Sequence, residues 1–196
     1  MGSDNIEKNE KQLTKVATTQ NRMKTTAILV LFIGVINLCS GQSAEDYYKK
    51  GIQYAESKNF VEAILSYTLA ISKNPYEWHY YQSRSYAYFV TKDNSNALKD
   101  INMALNLKPK YENVDCLSLR ARILIEMRSY VEAIVDLTYI IDYFPEDFQT
   151  KYGLVHLDRG KAFLYSGQKD KACLDFNESL LRKMSDAQKF IDEFCH

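Results

Sequence analysis

Proline is scarce in this 196-residue chain, at three residues, and glycine is little commoner at seven. That composition excludes collagen-like and Pro/Gly-rich disordered chains and suits a soluble globular protein. An excess of either charge is missing as well: 25 Lys+Arg balance 25 Asp+Glu, and no basic stripe breaks the pattern. A nucleic-acid binder needs clustered cations to displace counterions from phosphates, so that class of partner is not expected. Histidine is limited to His79, His156 and His196, widely spaced and without a second ligand at i+4, so no metal site is expected. Cys-x-x-Cys, His-Glu-x-x-His, Gly-x-Ser-x-Gly and the phosphate-binding glycine loop are all absent. No catalytic residue, cofactor or small-molecule substrate is assigned. What the chain has in quantity is aromatic surface, with 15 Tyr and 9 Phe, which favours binding or scaffolding over chemistry.

Long apolar runs are missing too, with one short exception. Residues 1–22 are polar, show no apolar period and read as a disordered extension. Arg22-Met23-Lys24 then precede an apolar run from Ala27 to Leu38, followed by Cys39-Ser40-Gly41-Gln42. Residues 23–41 thus carry the basic, apolar and small-residue regions of a secretory signal peptide, with Met23 as its natural start and cleavage expected after Gly41. Lipidation at Cys39 fits poorly, because Leu38 stands directly before it. At ~1.5 Å per residue a run of about a dozen residues reaches only ~18 Å against a hydrocarbon core of ~30 Å, so an uncleaved signal anchor is the weaker reading. Export to the periplasm, envelope or exterior is the expectation, and membrane contact only through an uncleaved signal segment.

The rest of the chain repeats. Phe60-x-x-Ala63-Ile64-x-x-Tyr67 and Tyr130-x-x-Ala133-Ile134-x-x-Leu137 share one apolar spacing, joined by Ala97-Leu98-x-x-Ile101 and Ala172-Cys173-x-x-Phe176. Steps of three and four put these residues on one helical stripe. The small residue recurs at Ala63, Ala97, Ala133 and Ala172, at intervals of 34, 36 and 39, and the prolines at Pro75, Pro109 and Pro145, at 34 and 36. Proline is excluded from helix interiors, so all three mark helix ends. A second helical pattern precedes each stripe: Tyr47…Gly51…Tyr54, Tyr81…Ser85…Tyr88, Leu117…Ala121…Leu124 and His156…Gly160…Phe163. Each unit is a helix, a turn and a helix.

This pattern resembles the tetratricopeptide repeat (TPR) family, in which an aromatic, a Leu-Gly, an aromatic, a small Ala, an aromatic and a closing Pro recur. The first copy matches through Tyr47, Gly51, Tyr54, Ala63, Tyr67 and Pro75; the fourth departs, with His156 at the first aromatic and Met184 at the closing Pro. The resemblance implies an all-α fold, a right-handed superhelix (α-solenoid) of four helix-turn-helix units at 44–77, 78–111, 114–147 and 153–186. Glu112-Asn113 and Phe148 to Tyr152 are extra residues between units. Small residues at 51, 85, 121 and 160 let the two helices of a unit approach closely. Residues 187–196 form a capping helix, with Ser185-Asp186-Ala187-Gln188 as a capping box and Ala187, Phe190, Ile191 and Phe194 as the buried stripe.

Ala172-Cys173-x-Asp175-Phe176 followed by Phe194-Cys195 further resembles the ending of exported TPR proteins of the Bacteroidetes type, in which paired cysteines staple the cap. A Cys173–Cys195 bond would close a loop of about 23 residues and contribute roughly 3 kcal/mol, the alternative being two small buried hydrophobes. Cys116 is expected as a free thiol beside the junction of repeats 2 and 3.

In the TPR family the first helices line a concave face that binds peptides. By phase, the resemblance places Glu45, Tyr48, Ile52 and Ala55 of repeat 1 there. From repeat 2 come His79, Gln82, Tyr86 and Phe89, from repeat 3 Asp115, Ser118, Arg122 and Ile125, and from repeat 4 Leu154, Leu157, Lys161 and Leu164. Tyr48, Tyr86 and Phe89 are the expected aromatic anchors. The clamp of Lys, Asn and Arg with which some TPR co-chaperones hold acidic tails is not matched: the sites read Tyr48 and Ile52, then Asp115 and Leu119. The expected function is a non-catalytic module binding a protein or peptide in the groove. A membrane-tethered structural spacer is the alternative.

Overall fold

The computed structural model describes residues 41–108, 113–144 and 149–196. The expectations for 1–22, for all of 23–41 except Gly41, and for Pro109 and Pro145 lie outside the described residues. Ser43–His196 form one compact unit. Among the described residues this unit is wholly helical: α1 (Ala44–Glu56), α2 (Phe60–Lys73), α3 (Trp78–Val90), α4 (Asn94–Leu107), α5 (Val114–Glu126), α6 (Tyr130–Tyr143), α7 (Gln149–Tyr165), α8 (Lys169–Leu181) and α9 (Asp186–Phe194). Consecutive helices pack in pairs, and each pair stacks on the next. The architecture is an α-solenoid of four helix-turn-helix TPR units closed by a C-terminal helix.

Local chemistry sets the helix boundaries. Ser43 opens α1 with a capping box: Asp46 N–H donates to Ser43 Oγ (3.1 Å), and Ser43 N–H donates to Asp46 Oδ2 (2.9 Å). Asp93 and Asn113 cap α4 and α5 through the amides of Asn96 and Cys116. Within each unit the chain reverses through one left-handed residue, at Lys58, Lys92, Arg128 and Gly167, with φ of 60°, 66°, 63° and 82°. The amide that follows then donates back five residues, as Asn59 does to the Tyr54 carbonyl at 2.8 Å.

That turn explains the missing fourth proline. Lys183 is left-handed as well (φ 67°), and Met184 N–H donates to the Ser179 carbonyl at 3.1 Å. The chain therefore leaves α8 by the turn used inside a repeat, and α9 folds back onto α8. The expected capping box at Ser185 does not form. Ser185 has helical dihedrals (φ −58°, ψ −27°) and no side-chain capping bond, whereas a capping side chain needs an extended backbone to reach the third amide. Helix α7 also begins at Gln149, four residues before the start assigned to repeat 4.

Packing within a unit turns on one pair of positions. Ala63, Ala97, Ala133 and Ala172 are fully buried. Four residues after each stand Tyr67, Ile101, Leu137 and Phe176, matched on the first helix by Gly51, Ser85, Ala121 and Gly160. Where the second helix brings a ring, the first brings glycine: a Cβ on Gly51 would lie 2.5 Å from the Tyr67 ring, and one on Gly160 2.6 Å from Phe176. Where the partner is aliphatic there is room for Ala121 or for Ser85, whose buried hydroxyl donates to the Ala97 carbonyl at 2.8 Å. Volume is conserved across the pair, as close packing demands.

Successive units are also tied by arginines. Arg84, Arg120 and Arg159 form two-pronged pairs with Asp100, Asp136 and Asp175, at 2.6–2.8 Å. The remaining nitrogen of each reaches the preceding unit, at Thr68 (2.9 Å), Asn102 (3.1 Å) and Thr138 (3.2 Å). Each guanidinium thus joins three helices across a repeat boundary. In repeat 1 the two positions are Lys50 and Ser66.

The cap is apolar on its inner side. Ala187, Phe190, Ile191 and Cys195 pack against Leu157, Ala172, Phe176 and Leu180, and the rings of Phe176 and Phe190 stack at 4.9 Å. Cys173 of α8 and Cys195, just beyond α9, are joined in a disulfide. Cys116 is free and buried.

Candidate functional site

The first helices of the four units, α1, α3, α5 and α7, present the face on which a groove is expected. Two depressions lie along it. One of about 370 Å³ is lined by Gln82, Ser83, Tyr86, Asp115, Ser118 and Arg122, with Tyr67 and Leu119 beneath. The other, of about 150 Å³, lies between Phe89, Arg122, Ile125, Glu126, Asp158 and Lys161. Arg122 belongs to both, so its guanidinium stands at their junction.

The expected residues divide into two groups. Gln82, Tyr86, Ser118 and Arg122 come together in the larger depression, and Phe89, Arg122 and Lys161 in the smaller. Tyr48, Ile52 and His79 do not join them. Tyr48 packs between His79 and Tyr80, with ring centroids 4.9 Å from each, and its hydroxyl lies 3.3 Å from Ser83 Oγ. Ile52 belongs to the cluster around Tyr67, and His79 Nδ1 is 3.3 Å from Glu77. Of the three aromatic anchors, Tyr86 alone offers an open ring, 46% exposed, while Phe89 is 9% exposed and sits in the main core cluster. Phe89 packs inward with that cluster, and Arg122 and Lys92 lie over its ring at 5.3 and 5.8 Å.

The electrostatics of the groove are local. Lys161 is held by Asp158 at 3.3 Å, and Lys92 by Glu126 at 3.5 Å. Arg122 differs: among the described residues no carboxylate lies within ion-pair distance of it, and it rests on the Phe89 ring. Tyr67 forms the floor. Burial, with Tyr48 beside it, pushes its hydroxyl up to about 12, so it stays a neutral hydrogen-bonding group. Cys116 is also unreactive: burial raises its thiol to about 12 against the weaker effect of its bond with Asn113, which leaves no thiolate at neutral pH. Among the described residues no group of three His, Cys, Asp or Glu side chains is placed to hold a metal ion.

Sequence reasoning did not find Tyr67 or Ser83 as groove residues. Tyr67 lies on a second helix and reaches the groove because Gly51 leaves α1 without a side chain there. The glycine was the available signal. Ser83 lies one position off the expected phase and is placed by its contact with Tyr48.

No protein-family model matches the chain, and no curated protein does. Solved structures do. MamA, residues 41 to the end, from Desulfovibrio magneticus RS-1 superposes with a TM-score of 0.65 at 15% identity, over 72% of this chain and 76% of that one. The first TPR of Spaghetti (RPAP3), bound to the HSP90 peptide SRMEEVD, gives 0.52 at 26% identity over 58% of this chain and 90% of its own. The APC/C hetero-tetramer Cut9-Hcn1 gives 0.69 at 16% identity over 79% of this chain and 30% of that one. The chain has the TPR fold in common with them.

Proposed function

We propose that this chain is a non-catalytic interaction module that holds an extended peptide or helix of a protein partner along the face of α1, α3, α5 and α7. The observation that carries this reading is the pair of depressions sharing Arg122, an exposed cation that forms no ion pair among the described residues although Asp115, Glu126 and Asp158 line the same depressions. A ligand with an apolar or aromatic side chain against Tyr86 and a carboxylate at Arg122 meets both requirements. The Spaghetti structure supports a peptide as ligand, since it is bound to one. The acidic-tail clamp is not carried over, because Tyr48 and Ile52 are packed where that clamp has polar groups.

The proposed setting is the cell envelope or exterior. The signal-like stretch at 23–41 supports it, and so does the Cys173–Cys195 disulfide, since such bonds persist in oxidising compartments. The same cysteines underlie the likeness to exported TPR proteins of the Bacteroidetes type. The apolar run from Ala27 to Leu38 favours a second reading, in which an uncleaved segment tethers the repeats as a spacer within a larger envelope complex.

The test is photo-cross-linking in the native envelope from a reactive group at position 86, followed by affinity measurement on the captured client. Tyr86→Ala with Arg122→Ala should weaken that client about tenfold or more while the melting temperature stays unchanged. Equal affinity would move the interaction off this face and favour the spacer. Tyr48→Ala and Phe89→Ala are unsuitable probes, because both side chains pack internally. Finding residues 27–38 in washed membranes would identify the tethered form.

A further inference from the structure

The opposite side, between repeats 2 and 3, carries a further depression, of about 380 Å³, with mostly apolar walls built by Leu98, Leu124, Val131 and Val135. Arg120 lines its inner end and Glu132 its rim. The other repeats show what this space ordinarily holds. In repeat 2, Tyr88 lies beneath Arg84, 5.9 Å from the guanidinium carbon, and in repeat 4 Phe163 lies beneath Arg159 at 5.7 Å. The residue of the same phase in repeat 3 is Leu124, so among the described residues Arg120 has no ring of its own there. Its side chain is accordingly the most exposed of the three, at 23% against 15% and 17%.

The border of the space varies between repeats: repeat 1 sets Val61, Glu62 and Leu65 there and keeps its ring, Tyr54, under Lys50 at 5.8 Å. Repeat 2 flanks its ring with Ser95 and Lys99, where repeat 3 has Val131 and Val135, 69% and 56% exposed. Repeat 4 lays Lys171 over its ring at 5.5 Å, where repeat 3 has Glu132. Repeat 3 thus has the border of repeat 1, two exposed aliphatic side chains and a carboxylate, without the ring that repeat 1 keeps. The positive guanidinium face matches the negative face of an aromatic ring, and Glu132 matches a neighbouring cation.

We propose that this outer depression binds an aromatic side chain of a protein partner, inserted over Arg120 where repeats 2 and 4 hold Tyr88 and Phe163, with a basic residue beside it pairing with Glu132. The site is separate from the groove and does not depend on that reading.

The test is methyl NMR titration of the full chain with acetyl-Phe-Lys-amide and acetyl-Leu-Lys-amide. The Phe probe should shift the methyls of Leu124, Val131 and Val135 saturably and bind about fivefold tighter than the Leu probe. Leu124→Phe supplies the ring internally and should raise the melting temperature and abolish binding. Val131→Ser with Val135→Lys transplants the surface residues of repeat 2 and should abolish binding with no change in melting, which keeps the test informative whatever Leu124→Phe does to folding. Glu132→Gln should weaken the Phe-Lys probe but not acetyl-Phe-Gln-amide, and Tyr86→Ala should change nothing. Equal binding of the Phe and Leu probes, no saturable shift, or binding that survives the valine replacements would each overturn the proposal.

Discussion

Repeat 1 and repeat 4 stand at opposite ends of the stack and solve the same packing problem differently. Repeat 4 is clipped by charge: Asp175 accepts both prongs of Arg159 and lies 2.9 Å from His156 Nδ1. It is also covered by α9 and stapled through Cys173 and Cys195. Repeat 1 has Lys50 and Ser66 at the clip positions and relies on rings, with Tyr48 against Tyr67, His79 and Tyr80. The clip reaches back to the preceding repeat, which is what the Arg159 bond to Thr138 does. A desolvated charge without full pairing is costly, and with Ser66 at the acceptor position apolar packing replaces the ion pair in repeat 1.

Removing residues 187–196 should disturb this contrast most. Phe176 and Leu157 would lose their cover, and repeat 4 should lose cooperative melting or aggregate, whereas an unchanged melt would refute the capping role. Asp175→Ala should follow, at about 3–5 kcal/mol, because it leaves the part-buried Arg159 guanidinium and the buried His156 ring without their shared acceptor, while Ser66→Ala at the other end should cost about 1 kcal/mol or less. Denaturant titration of the two variants side by side decides it, and equal losses would erase the distinction. Loss of the staple by Cys173→Ser should cost roughly 3 kcal/mol, and reductant should then have no further effect on the melt.

One feature unites the two ends. Gly51→Ala and Gly160→Ala should each cost about 1–3 kcal/mol, since both insert a methyl against a buried ring. A loss at one end alone would show that the other helix pair can move apart. The mildest effect concerns acid. Burial by itself would raise the Asp175 carboxyl, but the hydrogen bonds from Arg159 and His156 outweigh it and hold the group below the ordinary carboxylate range. A depressed folded value adds stability above the unfolded value of about 3.9, and that share is lost as pH falls through the folded one. Asp175→Asn should therefore flatten the acid limb of the stability curve, and an unaltered limb would assign acid sensitivity to other carboxylates.

The sequence carried the repeat because its signal is periodic: Ala63, Ala97, Ala133 and Ala172 fall in phase, and the helix pairs follow from that phase. The Arg–Asp clips were visible as letters but not as bonds. Arg84 and Asp100 are sixteen residues apart on different helices, and only packing aims one at the other. The expected groove positions divide. Gln82, Tyr86, Ser118 and Arg122 converge in one depression, whereas Tyr48 and Phe89 turn inward, because an aromatic on a curved inner face can be claimed by its neighbours.

By itself the sequence determined the all-helical repeat and the small residues that let paired helices meet. These are local properties, set by period, backbone preference and side-chain size. The tertiary structure decided how α9 turns back without its capping box, which aromatics remain open to a partner, and that Leu124 leaves a space where Tyr88 and Phe163 place rings. Those outcomes depend on contacts between residues far apart in the chain, and a periodic pattern does not encode which neighbour fills a given volume.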